Sequence, residues 1–489
     1  MIILYNPWST PSIKKPLPMS LLAVAALLEG RFDYQIVDGN LNSDAAGEII
    51  ERGRRTKLTA IGISVMPGPQ LNQAVADSKR IKAALPHVPI VWGGYFPSQH
   101  STTILQEDYV DYCIHSQGEQ TFLELVETLS KGGELANIQS LIYKENGSVR
   151  HNPQRAIIPL DELPDWPYHS VPMERYFHKH YLGERVATHH SSYGCPFGCN
   201  FCAVVDMVKR RWFPQSAERT ASIVRQLHDD YGADALQLHD MDFFISEPRT
   251  AEFSERITDL HMQWWALGRV DELMRYSAAT WEKMRASGLK MVFCGAESGS
   301  DEILKRMNKG GKVSANLTME LAKRMQSYGV VPEFSFVLGN PPDPLDDINA
   351  TLKFIRRLKQ VNPATEVILY MYTPVPMEGT LYEGARAMGF KFPDSLDEWV
   401  SGDWRNFSLR RDPKTPWLNP AIKRRVRDFE RVLNAYYPTV TDSKLIGAKR
   451  LALRGLGAWR YWTRFYARPY ELQTFHRVFK YQRPETTGF

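Results

Sequence analysis

Through the first 150 residues, apolar runs of strand length alternate with segments of helical period. MIILYNP opens the chain as a buried strand ending in a turn, and 20–28 (SLLAVAALL) follows as a helix stopped by Gly30. Strands are predicted at 34–40 (YQIVDGN), 60–69 (AIGISVMPGP), 90–98 (IVWGGYFPS) and 112–116 (YCIHS), with helices near 44–55 and 70–84 between them. Gly118 and Glu119 open another helix near 119–131. This β-α alternation predicts a parallel sheet with helices on both faces.

Residues 151–180 are proline-rich, lack periodicity and read as a linker. The alternation resumes near 186. Six strands are predicted, at 186–194, 233–244, 263–271, 289–299, 331–343 and 366–376, with helical stretches between. Six βα units in this length make an incomplete barrel, since eight typically need about 250 residues. After 396 the pattern turns helical and rich in Arg, Trp and Tyr. The expected organisation is 1–150, a linker at 151–180, a partial barrel at 181–395 and a helical region at 396–489.

In parallel sheets of this kind, ligands sit beyond the C-terminal strand ends. In the first domain those ends are Asn6-Pro7-Trp8, Asp38-Gly39-Asn40, Ser64 to Pro69 (with Met66), Gly93-Gly94-Tyr95 and Ser116-Gln117-Gly118-Glu119. They are rich in Gly, Pro and small polar residues, so backbone can approach a ligand closely. The same composition also suits plain turns.

With 489 residues, 43% hydrophobic and 24% charged, the chain has the composition of a multidomain globular protein. The formal net charge of +5 does not by itself imply nucleic acid. The excess is local: 396–489 carries 19 Lys/Arg against 9 Asp/Glu. No secretory signal opens the sequence and no uninterrupted apolar run is long enough to span a membrane. A reducing cytoplasm is the expected compartment, where clustered cysteines bind metal or do redox chemistry more often than they pair.

Three of the five cysteines, Cys195, Cys199 and Cys202, share one loop, SSYGCPFGCNFCAVVDM. The spacing C-x3-C-x2-C follows a strand, and Gly194 and Gly198 allow the backbone to curve. Three thiolates suit a cubane iron–sulfur cluster with one iron left open. A structural zinc would need a fourth ligand, which His189 or His190 offers, but no second cysteine pair is present. Cys113 and Cys294 lie in apolar runs and read as core thiols.

The segment Cys195-Pro-Phe-Gly-Cys199-Asn-Phe-Cys202 resembles the defining motif of the radical S-adenosylmethionine (SAM) superfamily, and the resemblance extends over about 186–395. It implies a [4Fe-4S] cluster on the three cysteines, SAM on the open iron, reductive cleavage to a 5'-deoxyadenosyl radical, and an electron donor such as flavodoxin or ferredoxin. It places Phe201 near the adenine and Asp240 and Asp242 (in His239-Asp-Met-Asp242) near the SAM amino group. Arg269 (with Asp271), Glu297-Ser298-Gly299 and Gly339 (in Leu338-Gly-Asn-Pro341) fall at further SAM positions. The segment Thr373-Pro-Val-Pro-Met-Glu-Gly-Thr380 resembles the family's T-P-x-P-G-T, with two residues inserted.

Ahead of such a barrel, the first domain resembles a cobalamin-binding domain. VWGGYFPS (91–98) and YCIHSQGEQTFLELV (112–126) carry the likeness. The D-x-H-x-x-G sequence is absent, so the resemblance implies no histidine beneath the cobalt, and Met66 is the nearest candidate there. The cobalamin candidates are therefore Asn6, Pro7, Asp38, Asn40, Ser64, Met66, Gly93, Gly94, Tyr95, Gly118 and Glu119. The implied chemistry is methylation of an unactivated carbon in a small-molecule or lipid-like substrate. The alternative is a non-methylating cyclisation or rearrangement. The basic aromatic tail (450–485) suits a barrel cap, an anionic membrane surface or RNA. Nucleic acid is not an expected partner, because the first domain does not look like an RNA-binding one.

Overall fold

The computed structural model describes residues 1–12, 14–309, 313–375, 380–404, 415–442 and 445–480. The chain divides into two units. One holds 1–177, 206–209 and, among the described residues, 391–404; the other holds the rest.

In the first unit the elements run β1 (Ile2–Asn6), α1 (Met19–Leu28), β2 (Tyr34–Asp38), α2 (Ala45–Arg55), β3 (Ala60–Ser64), α3 (Pro69–Ala84), β4 (Ile90–Gly93), α4 (Tyr95–Ile104), β5 (Tyr112–Ile114), α5 (Glu119–Lys131), β6 (Leu141–Glu145) and β7 (Ser148–His151). The sheet order is β2-β1-β3-β4-β5-β6-β7. β1 to β5 pair in parallel, and β6 and β7 add antiparallel. Side chains alternate along each strand. Val91 thus joins Leu21, Leu28, Phe122 and Val126 under α1 and α5, while Trp92 faces the opposite way and donates Nε1–H to Ser78 of α3 at 3.1 Å. α2 starts where the Asp44 carboxylate accepts the Gly47 N–H at 3.1 Å, and it ends among Arg52, Arg54 and Arg55. Both ends suit the helix dipole.

Three features depart from the sequence expectation. The 90–98 run is a strand only to Gly93; Gly94, at φ +100°, turns the chain into α4. The β6–β7 hairpin turns on Asn146 (φ +51°) and Gly147 (φ +80°), a residue pair that favours tight hairpins. Residues 151–177 belong to the first unit. There Ile158 N–H bonds Gln117 at 2.8 Å, and Tyr176 O–H bonds Asp38 at 2.8 Å.

The second unit holds β8 (Val186–His189), β9 (Ser192–Gly194), α6 (Val204–Val208, which runs into 206–209), β10 (Trp212–Pro214), α7 (Ala217–Asp229), β11 (Ala235–Leu238), α8 (Glu247–Ile257), β12 (Gln263–Arg269), α9 (Val270–Arg275), α10 (Ala278–Ala286), β13 (Leu289–Glu297), α11 (Asp301–Arg306), α12 (Ala315–Ser327), β14 (Val331–Leu338), α13 (Pro344–Val361), β15 (Glu366–Met371) and α14 (Thr380–Ala387). α15 (Leu396–Trp399) belongs to the first unit; α16 (Pro420–Tyr436), α17 (Gly447–Thr463) and α18 (Tyr470–Phe479) return to the second.

Six parallel strands follow in sequential order from β8 through β11 to β15. Among the described residues β8 and β15 do not pair, so the barrel stays partial. Trp264 faces the helical layer with Phe243, Phe244 and Phe253, while Trp265 points to the other face with Val186, Ala235, Met291 and Val331. Residues 415–480 are not a separate body. Trp417 donates to Gly339 O at 2.9 Å, and Arg356 of α13 donates to Tyr461 O at 2.6 Å. Residues 376–379 and 481–485, part of two expected motifs, lie outside the described residues.

Candidate functional site

Cys195, Cys199 and Cys202 follow β9 with free thiols. The loop begins at Gly194, whose φ of +87° disfavours a side chain. At Gly198 a Cβ would lie 2.7 Å from the Arg210 guanidinium, so that side chain would have to move aside. The loop is tied down by Asn200, whose N–H bonds Met307 O at 3.1 Å and whose amide bonds Arg306 O at 2.6 Å. Asn308 bonds back to Gly198 O at 2.9 Å. Burial pushes the Cys195 thiol up to about 12 and raises Cys202 as well. Taking up iron therefore releases protons. Among the described residues no group of three His, Cys, Asp or Glu side chains is placed to hold a single metal ion, so the three thiols do not form a mononuclear site. His189, one of the two zinc-ligand candidates, bonds Gln215 at 3.0 Å.

Two cations face the loop. Arg269, at the end of β12, donates Nη1–H to Cys199 Sγ at 3.4 Å and lies 3.7 Å over the Phe197 ring. Asp271 holds it through two bonds, at 3.0 and 3.1 Å, and Nη2–H also reaches Lys309 O at 2.8 Å. Lys309 is buried, pairs with Glu297 and stands 5.7 Å over the Phe201 ring. Burial alone would lower Lys309, but Glu297 and Cys199 outweigh it and hold the ammonium above its ordinary value. Both cations are placed to offset the negative charge that bound thiolates would carry. Glu297 itself sits at φ +63°, a conformation rare for a side-chain-bearing residue and common at functional sites. Gly295 makes the pair fit, because a Cβ there would come within 2.1 Å of Glu297 Oε1.

The two aspartates after β11 differ. Asp240 has a partner on each oxygen: it accepts Ser191 N–H at 3.1 Å, Ser191 O–H at 2.9 Å and Ser192 O–H. Those bonds fix the β8–β9 junction ahead of Cys195. Asp242 is fully buried and accepts only Phe244 N–H, at 3.1 Å, on Oδ1; Oδ2 has no partner. Burial pushes Asp242 up to about 8, against the pull of Arg269. Ser298 is also committed, at 3.2 Å to both Asp347 and Thr351 of α13. Gly339 turns at φ +78°, and Asp347 accepts its N–H at 2.8 Å and that of Asn340 at 3.0 Å. Asn340 Oδ1 is buried without a partner. Lys309 and Asp347 were not among the sequence candidates; a Lys before Gly-Gly reads as a surface loop.

At the strand ends of the first unit, Asn6, Asp38 and Asn40 form a closed network. Asn6 and Asn40 both donate to Asp38 Oδ1, at 2.9 and 3.1 Å, and Gln70 donates to Asn6 Oδ1 at 2.8 Å. These three, with buried Pro7, act as internal scaffold rather than as free ligand contacts. Ser64, Met66, Gly93, Gly94 and Tyr95 gather beside them: Val65 N–H bonds Gly93 O at 2.9 Å and Phe96 N–H bonds Val65 O at 3.0 Å. Met66 is 48% exposed, and a Cβ on Gly93 would meet nothing within 4 Å. These residues leave an open backbone ledge at this strand end. Gly118 and Glu119 start α5, where burial raises Glu119.

Residues 15–126 match the B12 binding domain family, and 190–355 match the radical SAM superfamily. An uncharacterised methyltransferase of Pyrococcus horikoshii is 29% identical over 416 residues, 83% of this chain and 86% of that one. The anaerobic magnesium-protoporphyrin IX monomethyl ester cyclase of Rubrivivax gelatinosus is 24% identical, covering 78% and 71%. The solved structure of the radical SAM methyltransferase TsrM from Kitasatospora setae, with tryptophan and a SAM analogue bound, superposes over 98% of both chains at 15% identity and a TM-score of 0.69. The chain is a radical SAM enzyme with an N-terminal B12-binding domain. Its cofactors are a [4Fe-4S] cluster, SAM and cobalamin.

Proposed function

We propose that this enzyme methylates an unactivated carbon of a small-molecule or lipid-like substrate. The observation that carries the reading is a three-thiol loop, flanked by Arg269 and Lys309, in a chain that also bears a B12-binding domain. When bound, the cluster and SAM supply a 5'-deoxyadenosyl radical, and cobalamin supplies a transferable methyl group. Cys195, Cys199 and Cys202 hold the cluster. Arg269 and Lys309 offset the negative charge of the thiolates. Asp242 Oδ2 receives the SAM ammonium, a charge-assisted bond for an atom that otherwise has no partner. Phe201 and the Gly339–Asn340 turn border the adenine, and Glu297 orients Lys309. Ser64, Met66, Gly93, Gly94, Tyr95, Gly118 and Glu119 line the cobalamin side. A flavodoxin or ferredoxin supplies the electron.

The cyclase relative supports a second reading, in which no methyl group moves. The test uses reduced, reconstituted enzyme with methyl-labelled SAM and an extract of cellular small molecules and lipids. Label in an extracted product supports methylation. Accumulating 5'-deoxyadenosine without transferred label favours the second reading. Cys195→Ala, Cys199→Ala or Cys202→Ala should each abolish stable iron binding; full iron content in any of them would sink the cluster assignment.

A further inference from the structure

α17 packs on one stripe only. Leu453, Gly457, Arg460 and Tyr461 are buried, Tyr461 stacks on Tyr436 of α16 at 4.5 Å, and Arg460 bonds Glu471 and Ala467 O, the latter at 2.8 Å. These contacts fix the helix's rotation and turn a second stripe outward. Leu451, Trp459 and Trp462, spaced to share that face, are 71%, 49% and 62% exposed. Phe465 and Phe479 extend the surface: Phe465 is 6.0 Å from Trp459, and Lys449 stands 5.5 Å over Phe479. Isolated exposed apolar residues are ordinary, whereas an exposed cluster such as Trp459, Trp462 and Phe465 marks a contact surface.

The charges say what the contact is. Residues 446–480 carry eight Lys/Arg and one acidic residue, Glu471. On α17 Lys449 and Arg454 border the apolar stripe, whereas Arg450 and Arg460 turn to the packed side and bond the Thr439 and Pro438 carbonyls and Glu471; Ala448, Ala452 and Gly455 occupy the positions between. An apolar centre with Trp and a cationic margin is the pattern of a helix lying in a lipid headgroup layer. A second copy would bring two basic margins together, and RNA would call for cations at the centre of the face. We propose that α17 and the end of α18 dock this enzyme on an anionic lipid surface, with Trp459 and Trp462 as the inserted anchors. The inference stands apart from the cofactor reading.

The test is flotation of the full chain with vesicles of phosphatidylglycerol mixed equally with phosphatidylcholine, and with phosphatidylcholine alone. Binding to the anionic vesicles that weakens with salt is expected, together with little binding to the neutral ones. Trp459→Ser with Trp462→Ser should lower the partition constant about tenfold or more. Arg464→Glu with Arg477→Glu should lower anionic binding while iron uptake stays at the parent level, which controls for folding. No flotation on anionic vesicles, or flotation unchanged in the tryptophan variant, would overturn the proposal. So would a self-association or RNA complex that the tryptophan changes abolish while vesicle binding persists.

Discussion

Replacing Asp242 with Asn separates what this carboxyl does for the ligand from what it costs the fold. Folded Asp242 keeps its proton to about pH 8, against an ordinary value of 3.8. Between those values the folded chain binds one proton more than the unfolded chain, so stability falls as pH rises. At about 1.4 kcal/mol per unit, the penalty is roughly 1.6 kcal/mol at pH 5 and on the order of 5 kcal/mol at pH 8. The Asn variant loses this penalty. It places instead an amide donor where Oδ2 has no partner, which costs about 1–3 kcal/mol at any pH. The unloaded Asp242→Asn protein should therefore match the parent near pH 5 and exceed it by about 3 kcal/mol at pH 8. Urea unfolding of the second unit at the two pH values measures this. A difference between variant and parent that shifts by less than about 1 kcal/mol from pH 5 to pH 8 would refute the burial argument. SAM should in turn bind the variant more weakly, because a neutral amide replaces the partner of its ammonium.

Lys309→Met leaves Glu297 unpaired where the two side chains are only 7% and 6% exposed, so it should cost roughly 3–5 kcal/mol. Adding Glu297→Gln should recover at least half of that, and strictly additive losses in the unfolding cycle would deny the coupling. Gly93→Val should fold normally, since its Cβ has open space, yet it should weaken cobalamin binding as followed by the visible corrinoid spectrum. Unaltered cobalamin affinity would remove the ledge at Gly93 from the site.

The parallel strands were legible because burial on both faces demands near-continuous apolar runs, and each of the eleven parallel strands contains one. What escaped were features decided by single residues. Gly94 stops β4 early, and Asn146-Gly147 turns a hairpin inside a stretch of weak alternation. The proline-rich 151–177 segment read as a linker because it is fastened by single bonds to Gln117 and Asp38 and by scattered buried residues such as Tyr168, Val171 and Met173, with no periodic apolar face. At the site, the cysteine spacing is a local property of the sequence and was legible. Lys309 was not, since only tertiary folding brings it over Phe201 and against Glu297.

Position at a strand end does not distinguish a ligand-facing group from a structural one, but bonding capacity does. Asp240 and Asp242 are two residues apart at the end of the same strand, and both are fully buried. Asp240 spends both oxygens on Ser191 and Ser192, whereas Asp242 leaves Oδ2 unused. Ser298 and the Asn6–Asp38–Asn40 network are committed like Asp240, and Asn340 Oδ1 is spare like Asp242. An amide at 240 leaves one oxygen where two now accept from Ser191 N–H and the Ser191 and Ser192 hydroxyls, so at least one of these buried bonds is lost or reversed. Asp240→Asn should therefore destabilise the chain by about 1–3 kcal/mol at pH 7, where Asp242→Asn stabilises it. Opposite signs for two neighbouring Asp→Asn changes follow if the carboxylate at 240 serves the fold while the buried carboxyl at 242 costs it stability; equal signs at pH 7 would mean that both serve the fold.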